Sequence, residues 1–234
     1  EAIDFCEFYA RDAVRLFDLE RLGVFVGELN QHWHQPRGVV SVISPWNFPL
    51  AICCGMTVAA LAVGNTVIVK PSTQTRGVAR AMCEALWQAG IPKDVLHFIP
   101  GSGSEVGDLL VCDPRVAMIA FTGSKEVGLR ILANAGKTPE GQPFCKKVVC
   151  EMGGKNAIII DDAADLDEAV LGVRKSAFGY CGQKCSACSR AIVLDGVHDH
   201  FLKRLVESTR TLIIGDPADP GTDFGPVIDE TGSF

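Results

Sequence analysis

Short apolar runs alternate with amphipathic stretches along the first 150 residues. The apolar runs are rich in valine and isoleucine, as strands buried on both faces of a parallel sheet are. We predict such strands at 38–43, 66–70, 95–99, 116–121 and 146–150. The stretches between them predict helices at 50–63 and 74–89, and another that opens within 122–130. This alternation predicts an α/β fold with a parallel sheet, whose ligands bind at the carboxyl ends of the strands.

The stretch from Gly38 to Val69 contains no charged residue and is long enough to suggest a membrane span. However, Pro45 and Pro49 interrupt it, and Gly64-Asn65 forms a turn signal near its end. Such residues mark loops and turns rather than the interior of a spanning helix. We therefore expect a buried strand–helix–strand unit of a soluble protein.

A second series of elements begins after Gly153-Gly154. We predict a strand at 157–160, a helix at 166–178, a strand at 191–194 and a helix at 200–210. The segment 137–144, which contains two prolines and a glycine, is expected to be a surface loop. We place one domain at 1–152 and the beginning of a second domain at 153–234.

Composition and charge exclude several classes of function. The 234 residues carry a net charge of −6, and the 22 lysines and arginines are scattered, whereas nucleic-acid and anionic-membrane binders need a basic face. The ten cysteines lie largely in apolar runs, which favours reduced thiols and a cytosolic or matrix-type compartment. The five histidines show no spacing of metal ligands, so we expect no metal site.

Cys185 is a candidate nucleophile. It follows the glycine-containing segment 179–182 and precedes small residues that are expected to begin a helix. A helix N-terminus favours the thiolate form, which is the reactive one. Two alternatives stay open: a packing cysteine, and a C-x3-C-x2-C motif of Cys181, Cys185 and Cys188, the spacing found in iron–sulfur radical enzymes.

Glu151 and Asn47 are candidates for the remaining chemistry. Glu151 follows a predicted strand and precedes two glycines, so its carboxylate is expected to be open to water and suited to general-base work. Asn47 lies in a turn between Pro45 and Pro49, which can aim an amide at an oxyanion. An exposed loop carboxylate and a turn asparagine are the plainer interpretations. Together with a thiol, these groups are what aldehyde oxidation through a thioester requires.

Three segments are candidates for cofactor contacts. The glycines of 101–107 are spaced one residue too widely for the dinucleotide fingerprint. Gly123-Ser124 stands at a strand-to-helix turn, where anions bind. Lys70 ends a strand, from which it can reach a ribose or phosphate or simply extend to water.

Five segments occur in the order found in the aldehyde dehydrogenase superfamily, and the chain resembles that family: Pro45-Trp-Asn-Phe-Pro49, Lys70-Pro-Ser72, Phe121-Thr-Gly-Ser124, Glu151-Met-Gly-Gly154 and Gly182-Gln-Lys-Cys185. Further segments, including Gly101–Gly107 and Gln183–Arg190, resemble the 1-pyrroline-5-carboxylate dehydrogenases, some of which are fused to proline dehydrogenase. The resemblance implies a Rossmann-like cofactor domain followed by the start of an α/β catalytic domain.

The resemblance also implies roles for individual residues. Cys185 attacks glutamate semialdehyde, Asn47 and the Cys185 backbone N–H stabilise the oxyanion, and Glu151 activates the water that releases glutamate, with NAD as the hydride acceptor. Ser186 matches a contact to the substrate carboxylate. The positions that match cofactor contacts are Ile43, Ser44, Trp46, Lys70, Ser72, Gly103, Gly107, Phe121, Gly123, Ser124 and Gly153.

Two departures from the family pattern qualify these expectations. Thr73 stands where the family often has a glutamate that binds the ribose hydroxyls, so NADP stays open beside NAD. The chain also resembles only part of the family's length, so we expect it to be a piece that is inactive alone. For the whole protein we expect a homo-oligomer, with or without fusion to proline dehydrogenase, in the bacterial cytoplasm or mitochondrial matrix. Another aldehyde substrate, or cofactor binding without catalysis, remains an alternative.

Overall fold

Two units make up the chain, and they divide between Met152 and Gly153. The computed structural model describes residues 1–230. The first unit opens with helix α1 (Ala2–Leu16), whose apolar face packs on a later helix, and continues into the short antiparallel strands β1 (Glu20–Arg21) and β2 (Gln31–His32).

A five-stranded parallel sheet follows, in the order β5-β4-β3-β6-β7. Helices connect its strands, as a parallel sheet requires. The confirmed class is therefore α/β with a parallel sheet. In chain order its elements are β3 (Val39–Ile43), α2 (Ala51–Ala62), β4 (Thr66–Lys70), α3 (Arg76–Gln88), β5 (Leu96–Phe98), α4 (Asp108–Cys112), β6 (Val116–Thr122), α5 (Lys125–Ala135) and β7 (Lys147–Glu151).

The central strands explain why this sheet forms. Val40, Val42, Val67, Val69 and Ile119 are completely buried, because helices cover both faces of the sheet and β-branched side chains fit a pleated surface. Within residues 1–230 no helix is both long and apolar enough to cross a membrane. The uncharged stretch is instead divided among β3, α2 and β4.

Substitution of Ile119 by alanine should destabilise the first unit. Ile119 lies on the central strand β6 and is 0% exposed, so the change removes buried apolar area and leaves a cavity. We expect the free energy of unfolding to fall by about 2–5 kcal/mol. Urea unfolding followed by circular dichroism measures this. The same substitution at Ile3, which is 76% exposed on α1, is the matched control, and an equal loss there would contradict the assigned core.

The strand order creates a crevice at one edge of the sheet. From β3 the chain builds β4 and β5 to one side and then returns to place β6 on the other side of β3. The connections after β3 and β6 therefore leave in opposite directions. Such a switch point is where ligands bind in open α/β sheets.

The second unit contains a smaller parallel pair. Its elements are β8 (Asn156–Ile160), α6 (Leu166–Phe178), β9 (Cys188–Val193) and α7 (Asp195–Arg210), with β8 and β9 side by side. Asp165 caps α6 by accepting hydrogen bonds from the backbone of Asp167 and Glu168. One core holds the unit together, with Ile160, Val170, Val173, Cys188 and Phe201 buried in it.

Several predicted boundaries in both units are wrong. The helix predicted at 74–89 begins as a 3-10 turn at Thr73–Thr75 and becomes α-helical at Arg76. Helix α4 was not predicted, and strand β9 starts three residues before the predicted 191. Helix α7 starts at Asp195 rather than 200, because Val197, Phe201 and Leu205 lie on one face that packs against the core.

Candidate functional site

A cleft of about 300 Å³ lies at the carboxyl ends of β3, β4 and β6, which is the switch point of the sheet. Ten of the eleven predicted cofactor positions line it, and the eleventh, Gly153, belongs to the second unit. The structure thus brings together residues that are up to 81 positions apart in the sequence, from Ile43 to Ser124. The lining positions that were predicted are Ile43, Ser44, Trp46, Lys70, Ser72, Gly103, Gly107, Phe121, Gly123 and Ser124.

Sequence reasoning missed several lining residues on two helices. Val127, Arg130 and Ile131 come from one face of α5, while Asp108 and Val111 come from α4. The spacing of three and four residues on α5 is the signal that identifies one face of a helix. Arg130 Nε lies 3.9 Å from Asp108 Oδ1, so the two helices meet through an ion pair at the cleft.

The N-terminus of α5 lies at the cleft, just after the end of β6. Ser124 caps this helix by accepting a hydrogen bond from the Val127 N–H at 3.4 Å. Gly123 lies close to the ring of Phe121, since a Cβ there would be 2.6 Å from Phe121 Cζ. A capped helix start with a tightly packed glycine before it suits an anionic group such as a pyrophosphate.

The glycine-rich segment 101–107 is a capped helical turn. Ser102 Oγ accepts from the Glu105 N–H at 3.2 Å, and the Ser102 N–H donates to the Glu105 carboxylate at 2.9 Å. These hydrogen bonds lower the pKa of Glu105. A Cβ at Gly103 or Gly107 would meet open space, so the backbone at both positions can be approached closely by a bound group.

Lys70 lies buried at the end of β4, with 6% of its surface exposed. Its Nζ donates to the carbonyl of Pro71 at 2.9 Å, and burial lowers its pKa. An oxygen-rich ligand stabilises a buried ammonium at a cleft, because few waters remain to solvate the charge. The position therefore suits contact with ribose or phosphate oxygens.

Asn47 lies in the turn between β3 and α2 and is half-buried. The Phe48 N–H donates to Asn47 Oδ1 at 3.1 Å, which fixes the plane of the side-chain amide. Glu151 is the last residue of β7 and is exposed. It pairs with Thr122 at the end of β6, and its carbonyl accepts from the Gly123 N–H at 3.0 Å. Both residues thus belong to the sheet edge that carries the cleft.

Cys185 is exposed in the loop between α6 and β9. The expectation that a helix begins after it is wrong, because the chain enters strand β9 at Cys188. The small residues that suggested a helix there instead allow a tight loop. Just upstream, Tyr180 and Cys181 have φ of 60° and 57°, a left-handed conformation that costs non-glycine residues energy and clusters at functional sites.

Buried cysteines elsewhere are poor candidates for nucleophiles. Burial raises the pKa of Cys83 to about 12, and burial with the neighbouring Cys6 thiol raises that of Cys54 to about 12. Burial also raises the pKa of Cys53, which the hydroxyls of Ser44 and Thr57 partly offset. These thiols stay protonated near neutral pH, and the thiolate is the reactive form.

Two of the three cysteines of the C-x3-C-x2-C motif have separate partners. The Cys181 thiol donates to the Gly225 carbonyl at 3.3 Å, and the buried Cys188 thiol donates to the Arg190 carbonyl at 3.4 Å. Across the part of the chain that the structure describes, no three histidine, cysteine or acidic side chains come together as a metal site does. The iron–sulfur interpretation therefore receives no support from the geometry.

Comparison with known proteins gives close relatives. A 1-pyrroline-5-carboxylate dehydrogenase of Geobacillus sp. (strain WCH70) is 52% identical over 231 residues, which is 99% of this chain and 45% of that protein. The Thermus 1-pyrroline-5-carboxylate dehydrogenase with bound NAD aligns with a TM-score of 0.94 and 46% identity, over 98% of this chain and 45% of its own.

The chain also matches a larger protein. Proline utilization A of Bdellovibrio bacteriovorus, inactivated by N-propargylglycine, aligns with a TM-score of 0.96 and 50% identity, over 98% of this chain and 24% of its own. The chain spans less than half the length of the curated relatives that it matches. The model of the aldehyde dehydrogenase family matches residues 1–232, and the chain belongs to this family.

Proposed function

We propose that the protein oxidises glutamate 5-semialdehyde, the open form of 1-pyrroline-5-carboxylate, to glutamate with NAD, in proline breakdown. The observation that carries the proposal is the cleft at the switch point, around which ten predicted cofactor positions converge. The names of the relatives, which are 50–53% identical over nearly the whole chain, support the choice of substrate.

The cleft fits a nicotinamide dinucleotide in three respects. It offers a capped helix start at Ser124, open backbone at Gly103 and Gly107, and a buried ammonium at Lys70. We assign the adenosine ribose and pyrophosphate to these groups, and we keep Gly153 as a predicted contact. When bound, NAD supplies the hydride acceptor, and the chain supplies the remaining chemistry.

We assign that chemistry to three residues and a binding group. The Cys185 thiolate attacks the aldehyde carbon, and the Asn47 amide with the Cys185 backbone N–H donates hydrogen bonds to the oxygen that gains the charge. Loss of hydride from that carbon leaves a thioester on Cys185. Glu151 then takes a proton from water, which attacks the thioester, and the thiol leaves as glutamate forms. The Ser186 hydroxyl is proposed to bind the substrate carboxylate.

Discrimination among aldehydes tests the proposed substrate. In the enzyme that carries this chain, kcat/KM for glutamate semialdehyde should exceed that for pentanal by about 100-fold or more, because pentanal leaves the groups that bind the carboxylate unpaired. Absorbance of reduced NAD at saturating cofactor measures both rates. Equal values would contradict the substrate but leave aldehyde oxidation standing, whereas no oxidation of either aldehyde would contradict the function itself.

We also propose that the cleft can bind NADP as well as NAD, because Thr73 provides no carboxylate next to the cleft residue Ser72. Thr73→Glu should weaken NADP binding by at least about tenfold, since a carboxylate repels the added phosphate, while NAD gains an acceptor for its ribose hydroxyls. Titration calorimetry with both cofactors measures this. Thr138→Glu, in an exposed loop, is the control of equal charge, and a parallel loss of both cofactors at Thr73→Glu would contradict the proposal.

Compartment and partners complete the proposal. All ten cysteines are free thiols, which supports a reducing compartment such as the bacterial cytoplasm. Large apolar side chains such as Phe25, Val26 and Trp33 are exposed around β1 and β2, which supports self-association. The likeness to proline utilization A supports a parent protein that also contains a proline dehydrogenase.

A further inference from the structure

One side-chain amide joins the start of β8 to the loop that carries Cys185. Asn156 Nδ2 donates to the Cys185 carbonyl at 2.8 Å and to the Ala187 carbonyl at 3.3 Å. These two carbonyls lie on either side of Ser186. A single rigid group therefore fixes the backbone around both the proposed nucleophile and the proposed substrate contact.

Gly154 provides the space for this arrangement. A Cβ at Gly154 would lie 3.0 Å from the Cys185 carbonyl oxygen, and 3.1 and 3.2 Å from Nδ2 and Oδ1 of Asn156. These distances are shorter than ordinary contacts of a methyl group, which are about 3.5–4.0 Å. The backbone of Gly154 is not left-handed, so an alanine is compatible with its conformation. The glycine is needed for close approach alone.

The pairing of β8 with β9 is irregular beside Asn156, where the loop that carries Cys185 enters β9. Asn156 pairs with Cys188 and Ala157 pairs with Arg190, so Ser189 is an extra residue in β9. Such a bulge redirects the chain at functional sites. The Cys188 N–H donates to Ser176 Oγ at 3.2 Å, which anchors the end of the loop to α6.

We propose that Asn156, with the space that Gly154 leaves for it, is a positioning residue for the loop between α6 and β9 that carries Cys185. Both hydrogen bonds that the Asn156 side chain makes within residues 1–230 go to backbone carbonyls of the loop, so it acts through Cys185 and Ser186 rather than on the substrate. Positioning of this kind matters because reactions depend steeply on the placement of the reacting atom. The inference rests on the proposed role of Cys185, and it adds the group that holds that residue in place.

Hydrogen exchange in Asn156 variants tests the proposal without requiring turnover. The amides of Ala187 and Cys188 report on the loop, since they donate to the Lys184 carbonyl and to Ser176 Oγ. Their protection should fall about fivefold in Asn156→Ala and in Asn156→Asp at neutral pH, because both variants lose the donated hydrogen bonds. A protonated carboxyl regains one O–H donor. Protection should therefore recover on acidification in Asn156→Asp alone.

Two further variants separate this effect from general unfolding. Gly154→Ala should lower protection of the same two amides, because its methyl group pushes the Cys185 carbonyl away from Asn156. Ser189→Ala, which removes a hydroxyl that donates to the Asn156 backbone carbonyl at 3.4 Å, should leave protection unchanged. Retained protection in α6 and β8 shows that each variant is folded.

The outcomes distinguish this inference from the function on which it rests. Wild-type exchange at Ala187 and Cys188 in both Asn156→Asp and Gly154→Ala would overturn the positioning role. So would equal recovery on acidification in Asn156→Ala and Asn156→Asp. Limited iodoacetamide labelling of the wild type, mapped by peptide mass spectrometry, reports separately on Cys185. Labelling that spares Cys185 would count against the proposed nucleophile, whatever the exchange data show.

Discussion

Replacement of Cys185 by serine should abolish NAD reduction, with a fall in rate on the order of 10⁴-fold or more. A hydroxyl is a far weaker nucleophile than a thiolate unless a base activates it. Both the first turnover and the steady state should disappear, because no covalent intermediate forms before hydride leaves. Stopped-flow absorbance of reduced NAD measures both phases in the enzyme that carries this chain.

Cys145→Ser is the matched control for this experiment. Cys145 is also exposed, but it lies in the loop before β7 and outside the segments to which the chemistry is assigned. Its variant should retain wild-type rates. A Cys185→Ser enzyme with more than a few per cent of wild-type turnover would remove Cys185 from the role of nucleophile and direct attention to another exposed thiol.

Replacement of Glu151 by glutamine should slow turnover by about 10²–10⁴-fold while sparing the first hydride transfer. Water must be activated only after the thioester exists, so the variant should form the thioester and then stall. A burst of reduced NAD close to one equivalent per site, followed by very slow turnover, is the expected signature. The amide keeps the size of the carboxylate, which leaves the end of β7 intact.

Glu140→Gln serves as the control, since Glu140 is an exposed loop residue of the same unit. It should show neither a burst nor a reduced rate relative to the wild type. If Glu151→Gln loses the burst and the steady-state rate in equal measure, then Glu151 acts before or during hydride transfer. Its assignment to thioester hydrolysis would then be wrong.

The order of the five sheet strands in the first unit, and of three of the helices between them, was predictable because each signal is local. Short apolar runs indicated β3, β4 and β6, and Pro45, Pro49 and Gly64 marked the ends of the helix between the first two of these strands. The grouping of Ile43, Lys70 and Ser124 at one cleft was not contained in any local pattern. It came from the family resemblance, and the structure explains it through the position of β6 beside β3.

The predictions that were wrong concern segments where tertiary contacts override local signals. Small residues after Cys185 suggested a helix, but pairing with β8 draws Cys188 into a strand. The helix predicted at 200–210 begins earlier, because packing of Val197 and Phe201 against the core extends α7 back to Asp195. Arg130 was not predicted to line the cleft, because residue spacing on α5 identifies a helix face but not what that face meets, which here includes Asp108 of α4.

The central claim is that the substrate becomes covalently attached to Cys185, and a trapping experiment tests it most directly. Glu151→Gln enzyme is mixed with glutamate semialdehyde and NAD, quenched in acid after the burst, and digested for mass spectrometry. We expect a glutamyl group on the peptide that contains Cys185, removable by hydroxylamine as a thioester is. A glutamyl group on a different cysteine, or a burst of reduced NAD with no covalent adduct, would contradict it.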